Sequence, residues 1–373
     1  MKDKKQKVLF VATVVKKHIN VFHLPYLKWF KDNGYETHVA ARNDFENEEC
    51  IIPFCDVHYD IPFERNPIGY KNICAYKSLR KIIRENKYDI IHCHTPVAAI
   101  LTRLAAIKSR KKGTKVIYTA HGFHFYKGAP WLNWLIYYPI ELIGSIFTDV
   151  LITINNEDYK LAKKRMKAKK IEYIPGVGVN LEKAKSKNID KKIEFGIEKD
   201  ATVLLSVGEL SKRKNHEIII RSLAKLNKSN IYYIICGDGH LKEYLKDLTY
   251  KLNINNKVIF AGFRKDIFEI CQSSDVFCFP SKQEGLPVAL MEAMAVGLPV
   301  ICSRIRGNED LIEDGKGGYL CSLNNDEEFY FAIKDIVDNA QKMKIMGEYN
   351  INAIKKFDIN NVSKEMQKIY AEV

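Results

Sequence analysis

Short apolar runs recur along this chain with segments of helical length between them, and this rhythm constrains the fold more than any other feature. In the first half the runs are residues 8–14, 37–41, 90–93, 115–120, 150–154 and 171–174, with helix-length segments at 19–32, 70–85 and 97–108. Runs that are apolar without alternation belong to strands buried on both faces, the condition of a parallel sheet covered by helices. The rhythm restarts at 203–207, 232–236, 258–261, 276–279, 299–302 and 319–321. Two doubly wound, Rossmann-like α/β domains are therefore predicted, residues 1–178 and 179–357. Pro175, Gly176 and Gly178 break the pattern and a polar, Lys-rich stretch follows, which places the join at 176–190. The last helical stretch, about 358–373, either stays with the second domain or packs back on the first.

Residues 1–15 imitate a signal peptide, being Lys-rich and then apolar, but Lys16, Lys17 and His18 follow with no small-residue cleavage site, so a buried first strand is expected. The longest apolar stretch, 131–154, is broken by Asn133, Pro139, Glu141 and Asp149, so no segment is expected to cross a bilayer. Nine scattered cysteines without a CxxC pair suit a reducing cytosol and supply no structural zinc set. Charge is uneven: residues 1–178 hold 30 Lys and Arg against 17 Asp and Glu, and the remainder 29 against 28. An anionic partner is expected for the first half alone. Basic clusters at 108–115 and 160–170 flank Trp131, Trp134, Tyr137 and Tyr138. Rings beside cations suit an anionic membrane surface, and equally a solvated face over a partly buried helix. Nucleic acid is the weaker reading, because no nucleic-acid motif accompanies the charge.

The most informative window is 280–301, PSKQEGLPVALMEAMAVGLPVI. Glu284 falls in a loop after a strand, Gly285 permits unusual loop backbone, and Pro287 suits the first turn of the helix that carries Glu292. A helix start offers unpaired N–H groups to a phosphate, and two separated carboxylates can accept bonds from different hydroxyls of one ligand. The window resembles the signature of retaining glycosyltransferase family 4, a GT-B group, in which E-x7-E is followed by A-x-G-x-P-V. Here these positions are Glu284, Glu292, Ala295, Gly297, Pro299 and Val300. The resemblance implies two Rossmann-like domains facing across a cleft, Glu292 on the ribose of a nucleotide donor, Glu284 on the transferred sugar, and Leu286 and Pro287 in the turn that meets the diphosphate.

Flanking segments resemble the same family. Gly208-Glu209-Leu210-Ser211-Lys212-Arg213-Lys214 lies where members carry G-R, four residues, then K-G. Lys214 would neutralise the diphosphate, Glu209 replaces the family Arg, and Arg213 or Lys212 would take over its contact. The alternative from the residues alone is a solvated helix start. Phe263 and Arg264, in VIFAGFRKD, lie in the segment whose backbone meets the base in the family; Gly237-Asp238-Gly239 shapes a loop. In the first half, His121 closes a predicted strand at the carboxyl edge where α/β folds hold ligands, and the resemblance sets it against the donor sugar. His92 and His94 alternate along their strand, so one is expected to face the core and the other the cleft. Three segments, TVVKKHINVFHLP, HCHTPVAAILTRLAA and YTAHGFHFYKGAPWLNWLIYYPIE, resemble the subgroup of bacterial capsular and exopolysaccharide assembly. Lys16, Lys17 and His18 would then border the acceptor.

The resemblance thus implies a cytosolic enzyme, peripheral on the inner face of the membrane. It would move a sugar from a UDP-sugar to a polyprenyl-diphosphate-linked saccharide with retention. Neither metal nor cofactor is expected, because placed cations and a helix start can stabilise the departing diphosphate. Two other readings stay open: a UDP-sugar 2-epimerase of the same architecture, and a non-catalytic nucleotide-sugar-binding protein.

Overall fold

The computed structural model describes residues 5–64, 66–67, 69–185, 190–323 and 325–373, so the start of the signal-like stretch and part of the expected join lie outside the described residues. The chain divides into two units, Met1–Val177 with Val362–Val373, and Gly178–Asn361.

The first unit carries seven strands: β1 (Lys7–Val14), β2 (Glu36–Arg42), β3 (Val57–Asp60), β4 (Ile90–His94), β5 (Lys115–Ala120), β6 (Val150–Thr153) and β7 (Lys170–Tyr173). They are all parallel in the order β3-β2-β1-β4-β5-β6-β7. β1 is buried from Val8 onward, as its apolar run predicts. β3 is not foreshadowed by any apolar run, because its Val-His-Tyr-Asp is a half-exposed edge strand. The single helix expected at 19–32 is instead a π-helical turn, Val15–Ile19, a short turn and a helix, Leu24–Asp32, with Pro25 near its start. Proline donates no N–H, so the helix begins there.

Within this unit the helix Trp131–Ile146 is anchored by a buried ion pair. Arg103, wholly buried, donates to Glu141 Oε2 at 2.9 Å, and Tyr118 donates to Oε1 at 3.1 Å. Gly144 leaves room for the guanidinium, since a Cβ there would stand 2.6 Å from its central carbon. No described helix is long and apolar enough to cross a membrane. At the other end of the chain Val362, Met366, Ile369 and Tyr370 pack with β1 residues Val8, Phe10 and Ala12.

The second unit has six parallel strands, β8 (Thr202–Val207), β9 (Ile231–Cys236), β10 (Val258–Gly262), β11 (Val276–Phe279), β12 (Val300–Ser303) and β13 (Gly318–Cys321), ordered β10-β9-β8-β11-β12-β13. Both sheets are doubly wound, and each reverses its strand order between its first and fourth strands. The loops leaving those strands are the ordinary ligand position of such sheets.

Candidate active site

In the second unit the loops after β8 and β11 are stitched together, the Lys282 N–H donating to Arg213 O at 2.8 Å. Glu284 Oε1 accepts from Lys214 Nζ at 2.7 Å and from an Arg213 guanidinium nitrogen at 2.8 Å. Both bonds fall on one oxygen, and among the described residues Oε2 accepts none. Lys214 is buried, with Nζ 4.3 Å from the centre of the Phe279 ring. Burial lowers its pKa and Glu284 opposes that shift. The solvated-helix alternative therefore fails for Lys214, although Lys212 is exposed, and the helix begins only at Glu217. The β8 loop is backed by Gly237-Asp238-Gly239. A Cβ at Gly237 would lie 2.0 Å from Gly208 O, so only glycine permits this approach.

Pro287 is the residue just before the helix Val288–Ala295 rather than part of its first turn. Leu286 and Pro287 are buried and the first N–H groups of the helix have no side-chain cap. The expectation that Gly285 carries unusual backbone is corrected, since it does not have positive φ. The left-handed residue is Gly307, φ 78°, against whose Cα the Gly285 carbonyl packs: a Cβ there would meet it at 2.2 Å. Glu292 is half-buried, and burial pushes its carboxyl up to about 7, opposed by Lys183. Among the described residues its carboxylate accepts no hydrogen bond. Phe263 is exposed, whereas the Arg264 guanidinium is held by Asp266 at 2.8 and 2.6 Å and by Glu194 at 2.6 Å. Arg264 can thus offer a ligand its backbone but not an unengaged charge.

The first unit has a different kind of site. His18 follows β1, His94 ends β4 and His121 follows β5, and their rings meet with that of His23. His121 Nε2 is 3.4 Å from His94 Nδ1. Burial pulls His121 down to about 4 and His23 and His94 well below the usual imidazole range. These three are neutral at pH 7. The expected division of His92 and His94 is corrected: residues two apart on a strand share a face, and their ring centroids are 4.0 Å apart. Both are fully buried. His92 is structural, its ring nitrogens each bonded at 2.8 Å, to Tyr370 and Thr119.

Lys17 and His18, with Thr13, Thr95, His124 and Tyr137, line a cavity of about 320 Å³. Lys16 is not among its lining residues; its ammonium is tied to Glu48 at 2.8 Å. Thr95, φ 60° and ψ 137°, is in a strained conformation for a β-branched residue, held by a 2.7 Å bond between its hydroxyl and that of Thr13.

The chain matches two family models, Glycosyl transferase 4-like over residues 7–155 and Glycosyl transferases group 1 over residues 187–353. It is 38% identical over 373 residues to EpsD of Bacillus subtilis, a glycosyltransferase by name, covering 98% of this chain and 96% of that one. The chain is a family 4 glycosyltransferase. This glycosyltransferase is also 33% identical to the Escherichia coli UDP-Gal:α-D-GlcNAc-diphosphoundecaprenol α-1,3-galactosyltransferase, over 82% of this chain and 80% of that one. Among solved structures, Anabaena HepE in complex with UDP and glucose superposes with a TM-score of 0.81 at 20% identity, covering 99% of this chain and all of HepE. WaaG, a glycosyltransferase of lipopolysaccharide biosynthesis, gives a TM-score of 0.75 at 16% identity over 97% and 99% of the two chains. The fold is GT-B, and membership of a transferase family decides against the epimerase and the binding protein.

Sequence reasoning missed several residues that the family 4 glycosyltransferase brings to these sites. His23 completes the ring cluster of His18, His94 and His121. Ser211 and Ser281, buried beside the Lys214 loop and after β11, have hydroxyls with no hydrogen-bond partner among the described residues. Arg306 donates to Glu284 O at 3.2 Å. Ser281 lay inside the recognised window and Ser211 inside the flanking motif, yet a serine in a loop carries no signal until its burial is known.

Proposed function

We propose that the protein is a retaining glycosyltransferase that moves a hexose or N-acetylhexosamine from a UDP-sugar to a polyprenyl-diphosphate-linked saccharide in the assembly of a bacterial surface polysaccharide. The observation that carries this reading is Lys214, buried and paired to one oxygen of Glu284 next to an uncapped helix start. That arrangement suits a leaving diphosphate: a placed cation and oriented N–H groups stabilise the charge that develops as the sugar–phosphate bond breaks. Glu284 Oε2 takes a sugar hydroxyl, Glu292 the ribose, and the backbone around Phe263 the base. The acceptor oxygen bonds to the anomeric carbon on the face the diphosphate leaves, and its proton passes to the departing phosphate oxygen. His121, neutral at pH 7, serves the donor sugar as a hydrogen-bonding group, the role that the family resemblance implies. No metal ion or cofactor is needed for this route.

The E. coli relative, named for a diphosphoundecaprenol-linked acceptor, supports a lipid-linked acceptor, here bordered by Lys17 and His18 in the first unit. Lys16, tied to Glu48, stays at the edge of that region. A place on the inner membrane face is supported by the helix Trp131–Ile146, on which Trp131, Leu135 and Ile143 are exposed. Arg110 donates to its last carbonyl, Ile146 O, at 3.0 Å, and the same unit carries a basic cavity of about 780 Å³ lined by Lys77, Arg80, Lys81, Arg84, Lys108 and Lys112. Apolar side chains beside clustered cations suit anionic lipid.

The test is transfer in EDTA to polyprenyl-diphosphate-GlcNAc from UDP-, GDP- and ADP-sugars, read as the mass gained by the lipid, after a thermal-shift screen of the same donors. One sugar gained from a UDP donor is the expected result. Transfer only from a GDP- or ADP-sugar, or donor binding with no transfer across the panel, contradicts the reading.

A further inference from the structure

We propose that His18, His23, His94 and His121 form a binding site for one late first-row divalent metal ion of the Zn²⁺ class. One ligand atom from each lies within 4.8 Å of those of the other three. The four come from separate places in the chain, the turns after β1 and the ends of β4 and β5, so the tertiary fold brings them together. Zinc–nitrogen bonds of about 2.0–2.1 Å in a tetrahedron set the ligand nitrogens about 3.3 Å apart. His94 Nδ1 and His121 Nε2 already stand at 3.4 Å. The remaining separations need to close by about 1.5 Å at most to reach that geometry.

Two further observations point to a ligand here. Both ring nitrogens of His23 are buried with no hydrogen-bond partner among the described residues, the residue is only 1% exposed, and one of the two can bind an ion. Buried polar atoms are ordinarily satisfied, and His92, in the same row of β4, shows the ordinary arrangement with both nitrogens bonded. A cavity of about 10 Å³ is lined by His23, His94 and His121; that is room for about one water-sized sphere and not for a sugar. Imidazoles without thiolate or carboxylate suit zinc, copper, nickel and iron. Four protein ligands leave a tetrahedral ion no open position, so the site is of the closed type and fastens the turn after β1 to the strand ends. One consequence rests on the function proposed above: an ion that engages His121 removes it from the donor sugar, so loaded protein transfers more slowly than protein in EDTA.

The full chain, freed of metal, is titrated with CoCl₂ and the visible d–d bands of tetrahedral Co²⁺ are recorded; bound zinc per chain is counted after dialysis against ZnCl₂. One ion per chain is expected. His18→Gln and His23→Gln, checked for fold by circular dichroism, should each weaken binding by at least about tenfold. His240→Gln, an exposed histidine of the other unit, should bind as wild type does. The proposal is overturned if folded wild type takes up no stoichiometric ion, or if His18→Gln, whose half-buried site tolerates change, binds equally well. Binding without any slowing of transfer leaves the metal site standing and overturns the role given to His121.

Discussion

Both units use the same doubly wound strand order, yet they place opposite chemistry at the carboxyl edges of their sheets. The second unit sets Lys214, Arg213 and Glu284 in mutual contact beside a helix start. The first, which carries nearly all of the net positive charge, places there a set of packed imidazoles, three of them held neutral by burial. Net charge therefore says little about a site. Positive charge near the nucleotide-sugar motif is a matter of one or two buried, paired groups, whereas the excess of the first unit lies mostly on its surface, in places such as the basic cavity at Lys77–Lys112.

The contrast can be broken or sharpened by substitution. The largest effect is expected where the first unit does bury a charge, away from its histidines. Glu141→Ala strands Arg103 and should cost about 3–5 kcal/mol in urea unfolding; a loss below 1 kcal/mol would mean that the pair is not sealed from water. Next, Lys214→Ala should lower transfer turnover by about 10²–10³-fold, as removal of a placed charge stabiliser does. Arg213→Ala, on an exposed side chain, should cost only a few-fold. Equal losses would erase the distinction between buried and exposed cations.

Glu292 supplies a pH signature. Its folded pKa, about 7, is raised from 4.5, so its stabilising contribution is complete below the unfolded value and is lost as pH rises through 7. Glu292→Gln should therefore be more stable than wild type by about 2–3 kcal/mol at pH 8, with the difference vanishing near pH 4. UDP affinity, measured by calorimetry, should rise from pH 6 to 8 in wild type as the carboxylate forms, and stay flat in Glu292→Gln. The smallest effect is on membrane association. Leu135→Ser should weaken binding to anionic liposomes about tenfold at low salt, and wild type should release in high salt. Salt-independent sedimentation would remove the electrostatic part of the account.

The extent to which the two sites were legible follows the same contrast. Glu284 and Glu292 stand in one compact window and Lys214 in a flanking motif, so all three are visible as candidates in the sequence, and the contact between Lys214 and Glu284 appears only in the fold. His23 did not stand out, and His94, visible beside His92 on its strand, was not joined to His121, because the three share no motif and only the convergence of β1, β4 and β5 brings them together. The strands announced themselves wherever both faces are covered, as in β1 and β8, and failed to do so in β3, an edge strand half open to water. Gly285 misled for a related reason: a glycine in a motif is visible, but the partner that needs the left-handed backbone, Gly307, lies 22 residues further on and is identified only by the close approach of a carbonyl.

Single-turnover transfer from a UDP-sugar to a polyprenyl-diphosphate-linked acceptor, in EDTA, tests the assignment of the nucleotide-sugar site to the second unit most directly. Wild type should transfer one sugar, and Lys214→Ala and Glu292→Ala should each slow that transfer by about a hundredfold or more while remaining folded. Wild-type rates in both variants would contradict the assignment.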